Sequence, residues 1–346
     1  MPTSVLEVEN LHTQFPTDRG IVRAVDGVDL SIRPGEIVGL VGESGSGKSV
    51  LAESILGIVE GPGEITGGEI QFQGESLLNM TDRQRQSVRG GRMSMIFQDP
   101  MNSLNPTLTV GEQIAEAVRI HRDTNESISF PAEIKRKILG AAKDKPAWRQ
   151  AINMLEAVQI PEPEARAADF PHQFSGGMRQ RAMIAMALAS EPDLVVADEP
   201  TTALDVTIQA QILEELENLK EEFDTAILLI THDLAVVAET CDRVNVMYAG
   251  KIVERAETQE LFTSPEHPYT QGLIASTPQI ENPNATLEPI QGNVPDLIDI
   301  EYACHFAPRC PEAERECFEQ TPDFRLVGDG DHEAACLRRG SADDRL

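Results

Sequence analysis

"GESGSGKS", residues 42–49, fits G-x-x-x-x-G-K-[ST] with Gly42, Gly47, Lys48 and Ser49 in the fixed positions. The apolar run "IVGLV" (37–41) precedes it and the helical pattern "SVLAESILGI" (49–58) follows. Glycines in such a turn let backbone N–H groups converge on phosphate oxygens, and the helix N-terminus adds a positive pole. Lys48 is expected to reach the β- and γ-phosphates and Ser49 to ligate Mg²⁺. Ser44, Gly45 and Val50 extend the expected phosphate contacts. A chance glycine-rich turn would lack the strand before and the helix after it. The motif therefore reads as a nucleotide-binding loop and sets the fold class as α/β.

Working outward, short apolar runs alternate with helical patterns: "MSMIF" (93–97), "LVVA" (194–197), "AILLI" (226–230) and "VNVMY" (244–248). Continuous apolar runs of this length predict strands buried on both faces, hence a largely parallel sheet covered by helices. Residues 5–32 alternate more and predict antiparallel edge strands. Residues 99–170 predict a helical region without strands, and the polar, lysine-rich stretch 122–147 an exposed insertion within it. From about 263 onward proline and turn formers dominate, predicting a separate appendage that buries little core.

Charge bounds the function. With 57 acidic and 29 basic residues, the net charge is −28. A sequence-independent grip on nucleic acid needs a basic surface, so no nucleic acid partner is expected. Four of the seven lysines fall in residues 135–145, leaving Lys48, Lys220 and Lys251 for the rest. An acidic, lysine-poor surface resembles that of salt-loving archaeal proteins, although a merely acidic cytosolic protein would read similarly. The N-terminus carries no secretory pattern and no apolar run approaches the ~18 residues of a membrane span. The expectation is an intracellular protein able to dock on a membrane partner.

Two further motifs extend the phosphate chemistry. "LVVADEP" (194–200) is a buried strand ending in paired carboxylates. Asp198 sits where a carboxylate can hold Mg²⁺, and Glu199 where one can polarise an attacking water. "FSGGMRQR" (174–181) places Ser175, Gly176 and Gly177 before a helix. It reads either as a second anion site or as a plain N-cap. One nucleotide needs only one such loop.

The order "GESGSGKS", "MIFQDP", "FSGGMRQR", "LVVADEP", "TTALD", "ITHD" resembles the ATP-binding cassette of ABC transporters, over roughly residues 5–260. The resemblance implies a RecA-like P-loop NTPase core (about 1–98 and 171–262), an antiparallel β edge and a helical subdomain (about 99–170). In that family two cassettes sandwich two ATP molecules, and the Ser-Gly-Gly loop of each caps the nucleotide of the other. Ser175, Gly176 and Gly177 would then serve the partner's ATP. By position, Gln98 resembles the glutamine that touches Mg²⁺ and links the ATP site to membrane subunits. Asp205 falls in the loop joining the cassettes, and His232 in the switch that contacts the γ-phosphate. Phe15 is either the aromatic that stacks on adenine or an ordinary core residue. Phe174 and Met178 depart from the usual signature wording, which bears on local packing or coupling.

Three function classes compete: the energising subunit of a membrane importer, a soluble cassette ATPase for ribosome or DNA work, and a cassette for iron–sulfur assembly. The chain lacks the second cassette and the long coiled coil of the soluble types. Its tail, "SPEHPYTQGLIASTP" (264–278), "GNVPDL" (292–297) and "CHFAPRCPEAERECF" (304–318), resembles the dipeptide/oligopeptide importer ATPases. That likeness implies a cassette at 1–262, an importer-type tail at 263–346, a second ATPase chain (a similar but distinct one, or a second copy of this chain), two permease subunits and an external binding protein. It also implies a position at the cytoplasmic face of the cell membrane. Relatives import peptides, nickel or sugars.

Four of the five cysteines, Cys304, Cys310, Cys317 and Cys336, lie in this tail with five, six and eighteen residues between them. Structural zinc draws on tightly spaced C-x₂₋₄-C pairs, and none is present. The residues leave a [4Fe–4S] cluster, zinc and bare or oxidised thiols open; the resemblance implies the cluster.

Overall fold

The computed structural model describes residues 4–98, 103–122, 145–201, 206–277, 289–300, 303–327 and 330–339. They fall into two compact units, residues 1–79 with 228–346, and residues 80–227. The first unit holds a four-stranded antiparallel sheet ordered β2-β1-β4-β5. Its strands are β1 (Leu6–Thr17), β2 (Gly20–Ile32), β4 (Glu64–Phe72) and β5 (Glu75–Ser76). Leu6, Val8, Leu11, Val28, Leu30, Ile32, Ile70 and Phe72 bury one face, as the alternation predicts.

β3 (Ile37–Val41) is buried at every residue and runs parallel to β9 (Arg243–Tyr248), with Val38 opposite Arg243 and Val41 opposite Val246. The order in this unit is β11-β12-β10-β9-β3-β8, with β8 (Ala226–Thr231), β10 (Lys251–Glu257), β11 (Arg325–Leu326) and β12 (Glu333–Ala334). In the second unit β6 (Met93–Ile96) and β7 (Leu194–Asp198) pair in parallel. Among the described residues of 99–170 every regular element is helical. Val110, Ile114 and Val118 of the helix Val110–Arg122 are buried, as are Ala151, Met154 and Leu155 of the helix Lys145–Ala157; each set follows the i, i+3, i+4 rule for one helix face. Most of the 122–147 stretch lies outside the described residues, and so does Asp205.

The tail departs from expectation: it does bury core. Phe306, Ala307, Cys317, Ala334, Ala335 and Cys336 are buried. β12 pairs with β10 (Glu254 with Ala334, Arg255 with Glu333), and Val22 of β2 bridges Ile298. The tail thus covers an edge of both sheets in this unit, satisfying backbone groups that would otherwise face solvent. Turn-forming composition hid this, because the anchoring residues are dispersed along the segment and show no period.

Candidate functional site

The phosphate loop is shaped by its two fixed glycines. Gly42 (φ 158) and Gly47 (φ 105) have positive φ, and a Cβ at either would strike backbone, the Met247 and Ala24 carbonyl oxygens respectively. The helix Lys48–Leu56 starts directly at the motif lysine. Lys48 is buried, and its Nζ donates to the carbonyls of Gly42 (2.8 Å) and Glu43 (3.0 Å) and to Ser46 Oγ (3.4 Å). Those contacts hold the ammonium within the turn of the loop. Buried Ser54 on the same helix shares a 2.7 Å hydrogen bond with Thr13 of β1. Two residues further on, Phe15 is half-buried with its ring against Gly63. His232 is exposed at the end of β8, beside Asp233, which caps the next helix by accepting from Ala235 N (2.9 Å).

In the second unit the structure brings two of the expected catalytic residues together. Gln98 Nε2 donates to Glu199 Oε2 at 2.8 Å, although the two lie 101 positions apart in sequence. Asp198 ends β7 and is buried, whereas Glu199 turns out of the strand with φ 47, a left-handed conformation uncommon for a non-glycine residue. Pro200 O accepts a hydrogen bond from buried Gln180 Nε2, which fastens the turn to the helix Gly176–Leu188. Ser175 caps that helix by accepting from Met178 N at 3.4 Å, so the N-cap reading holds locally. Ser175 and Gly176 are nevertheless exposed, and a Cβ on Gly176 would meet open space. Phe174 is buried, so the departure from the usual signature is a packing residue.

The four tail cysteines form no disulfide with one another. Burial pushes the Cys304 thiol up to about 11, with Cys317 and Cys336 adding to the effect. Cys310, Cys317 and Cys336 are likewise raised by burial. Backbone N–H groups oppose it: those of Phe306 and Ala307 donate to the Cys304 sulfur, that of Glu312 to Cys310 and that of Arg338 to Cys336. Among the described residues no three His, Cys, Asp or Glu side chains group so as to hold a single metal ion.

Several contacts around the phosphate loop and β2 carried no sequence signal. Glu43, a variable position of the phosphate motif, is held by Arg309 and Tyr269 of the tail. Asp26 of β2 is buried among Lys251 Nζ (3.0 Å), His12 Nδ1 (3.3 Å) and His305 Nε2 (4.0 Å).

The glycine-shaped phosphate loop, the buried carboxylate strand and the Ser-Gly-Gly helix cap define a cassette-type P-loop ATPase. The ABC transporter family model matches residues 25–202, and the model of the oligopeptide/dipeptide transporter C-terminal region matches residues 253–317. The chain is 45% identical to the dipeptide transport ATP-binding protein DppD of Bacillus subtilis, covering 96% of this chain and 94% of that one. It is also 45% identical to the oligopeptide transport ATP-binding protein OppD of Salmonella typhimurium, over 92% and 89% of the two chains. A dimeric ATP-binding cassette in a post-hydrolysis state, bound to ADP and Pi, superposes with a TM-score of 0.62 at 26% identity, covering 73% of this chain and 98% of that one. The chain belongs to the ABC transporter family, among the ATP-binding subunits of oligopeptide/dipeptide transporters, and it is an ATPase with the cassette fold. Among the described residues no helix is long and apolar enough to cross a membrane.

Proposed function

We propose that this chain hydrolyses ATP to energise an importer of dipeptides and longer oligopeptides. It works at the cytoplasmic face of the membrane with a second, distinct cassette chain, two permease subunits and, through them, an extracellular binding protein. Residues 1–262 act as the cassette and 263–346 as the importer-type tail. The observation that carries the enzymatic part is the 2.8 Å hydrogen bond between Gln98 and Glu199, beside the buried Asp198.

Each residue then has a role. The backbone of Gly42, Ser44, Gly45, Gly47 and Val50 cradles phosphate oxygens, Lys48 neutralises their charge, and Phe15 stacks on adenine. Ser49, Asp198 and Gln98 supply the oxygen donors that suit Mg²⁺, and a carboxylate as buried as Asp198 fits a cation site. When bound, Mg²⁺ offsets phosphate charge. Glu199 takes a proton from the attacking water, and Gln98, which holds its carboxylate, couples that step to the permease contact. His232 steadies the γ-phosphate. Ser175, Gly176 and Gly177 cap the partner cassette's ATP, with Asp205 at the joint between cassettes.

Cys304, Cys310, Cys317 and Cys336 hold a [4Fe–4S] cluster with a structural role. Support comes from the clustering of four of the five cysteines in one tail and from the N–H groups that donate to three of the sulfurs, since such hydrogen bonds favour thiolate ligands. The net charge of −28 supports an origin in a salt-rich cytoplasm. The cargo is tested by ATPase activity of the assembled transporter in liposomes. Stimulation by peptide-loaded binding protein is expected; stimulation by nickel or sugar alone would overturn the peptide assignment.

A further inference from the structure

Glu43, the second residue of "GESGSGKS", is held at three points. Its N–H donates to Tyr269 Oη at 2.8 Å. Its carbonyl accepts from Lys48 Nζ and from Ser46 N (3.1 Å), contacts internal to the phosphate loop. Its carboxylate takes a two-pronged grip from Arg309, Nη1 to Oε2 at 2.6 Å and Nη2 to Oε1 at 3.1 Å.

Arg309 is held firmly in place for this grip. Its side chain is 5% exposed against 29% for Glu43. All five of its N–H donors are used: two on Glu43, one on Tyr248 Oη (3.3 Å), and one each on the carbonyls of Gln291 (2.9 Å) and Ile290 (3.3 Å). Lysine could not reproduce this planar fork. The rest of the "CHFAPRC" loop anchors it. Phe306 packs edge-on against Tyr248 (5.2 Å) and Tyr269 (5.4 Å), and His305 Nδ1 lies 2.7 Å from the Ala249 carbonyl. Gly250, next to Ala249, donates its N–H to Ser46 O in the phosphate loop.

We propose that Arg309 is a positioning residue for ATP binding: the Cys304–Cys310 loop braces the phosphate loop by fixing Glu43, and through it the carbonyl that holds Lys48. This rests on the reading of residues 42–49 as the ATP site. It also accounts for a tail spliced so tightly to a cassette whose own motifs end near residue 235. Position and charge make opposite demands at Glu43. Removing an acid beside phosphates should tighten ATP binding by charge alone; removing a brace should weaken it.

The test is equilibrium binding of fluorescent ATP to the full chain, reading dissociation constant and site stoichiometry. Arg309→Ala and Glu43→Ala should each weaken binding about tenfold with stoichiometry unchanged, and the double variant should be no weaker than the poorer single one. Glu43→Ala also covers the case in which Arg309→Ala does not fold, since it keeps Arg309 and its bonds to Tyr248, Gln291 and Ile290. Unchanged or tighter binding by Glu43→Ala, losses that multiply to about a hundredfold, or lost stoichiometry at unchanged affinity would each overturn the brace. Lys48→Ala separates the two readings. If it binds ATP as the unaltered chain does, the phosphate-site assignment fails; if it does not while both brace variants bind normally, only the brace fails.

Discussion

Replacing His332 by leucine should destabilise the first unit, and the size of the effect follows from what it leaves behind. His332 Nε2 lies 2.8 Å from Glu254 and Nδ1 lies 3.2 Å from Glu260, with side-chain exposures of 1% for His332 and 0% for Glu254. Burial opposes the imidazolium, but the hydrogen bond to Glu254 and the charges of Glu254 and Glu260 outweigh it, so the pKa is raised above 6.5. Burial likewise disfavours the Glu254 carboxylate, yet His332 and the backbone N–H groups of Glu266 and His267 hold its pKa below the ordinary value. The other nearby imidazole, His267, is pushed by burial down to about 4 and is neutral; its Nδ1 accepts from Tyr269 N.

Leaving a buried carboxylate without its cation costs about 3–5 kcal/mol. Glu254 keeps the Glu266 and His267 donors (2.7 and 2.9 Å), which places the expected loss near the lower end, about 3 kcal/mol. For a unit of this size that is a fall of about 6–12 °C in Tm, read by calorimetry or near-ultraviolet circular dichroism. Adding Glu254→Gln to His332→Leu should recover part of the loss. The pH dependence fixes the sign. A raised histidine pKa contributes stability that is fully present below 6.5 and is lost as pH rises through the folded-state pKa. The gap between unaltered chain and variant should therefore be wide at about pH 6 and narrower at about pH 9. A Tm within about 2 °C at pH 6, or a gap that widens with rising pH, would refute the reasoning.

Other outcomes test the assigned roles. Glu199→Gln should bind ATP but hydrolyse it at least about a hundredfold more slowly and trap the closed dimer; wild-type turnover would remove Glu199 from catalysis. Ser175→Arg should abolish ATP-driven dimerisation while leaving ATP affinity of the single chain intact, and a loss matching that of Lys48→Ala would count against a shared nucleotide. Protein purified without air should be brown, absorb near about 400 nm and contain iron and sulfide in equal amounts. Colourless protein with one zinc per chain, or serine at all four tail cysteine positions with iron content unchanged, would defeat the cluster.

The core of this protein was legible because its motifs are local. A strand of five apolar residues, a turn that needs glycine where φ is positive, and a helix beginning at Lys48 are contiguous demands, and the structure meets them at 37–41, 42–47 and 48–56. The buried runs 93–96, 194–198 and 226–231 follow from the same rule that continuous apolar sequence marks a covered strand. Gln98 and Glu199 could be named individually, since each follows a strand of recognisable pattern. Their hydrogen bond depends on the parallel register of β6 and β7, which no single stretch encodes. The tail was the least legible part. Its grip uses isolated residues such as Arg309 and His332, whose partners Tyr248, Glu43 and Glu254 lie 61 to 266 positions away. Spacing along the chain fixed the chemistry of the phosphate loop; only the folded chain could decide that Glu43 is held from outside that loop, because an ion pair requires proximity in space and leaves no period in sequence.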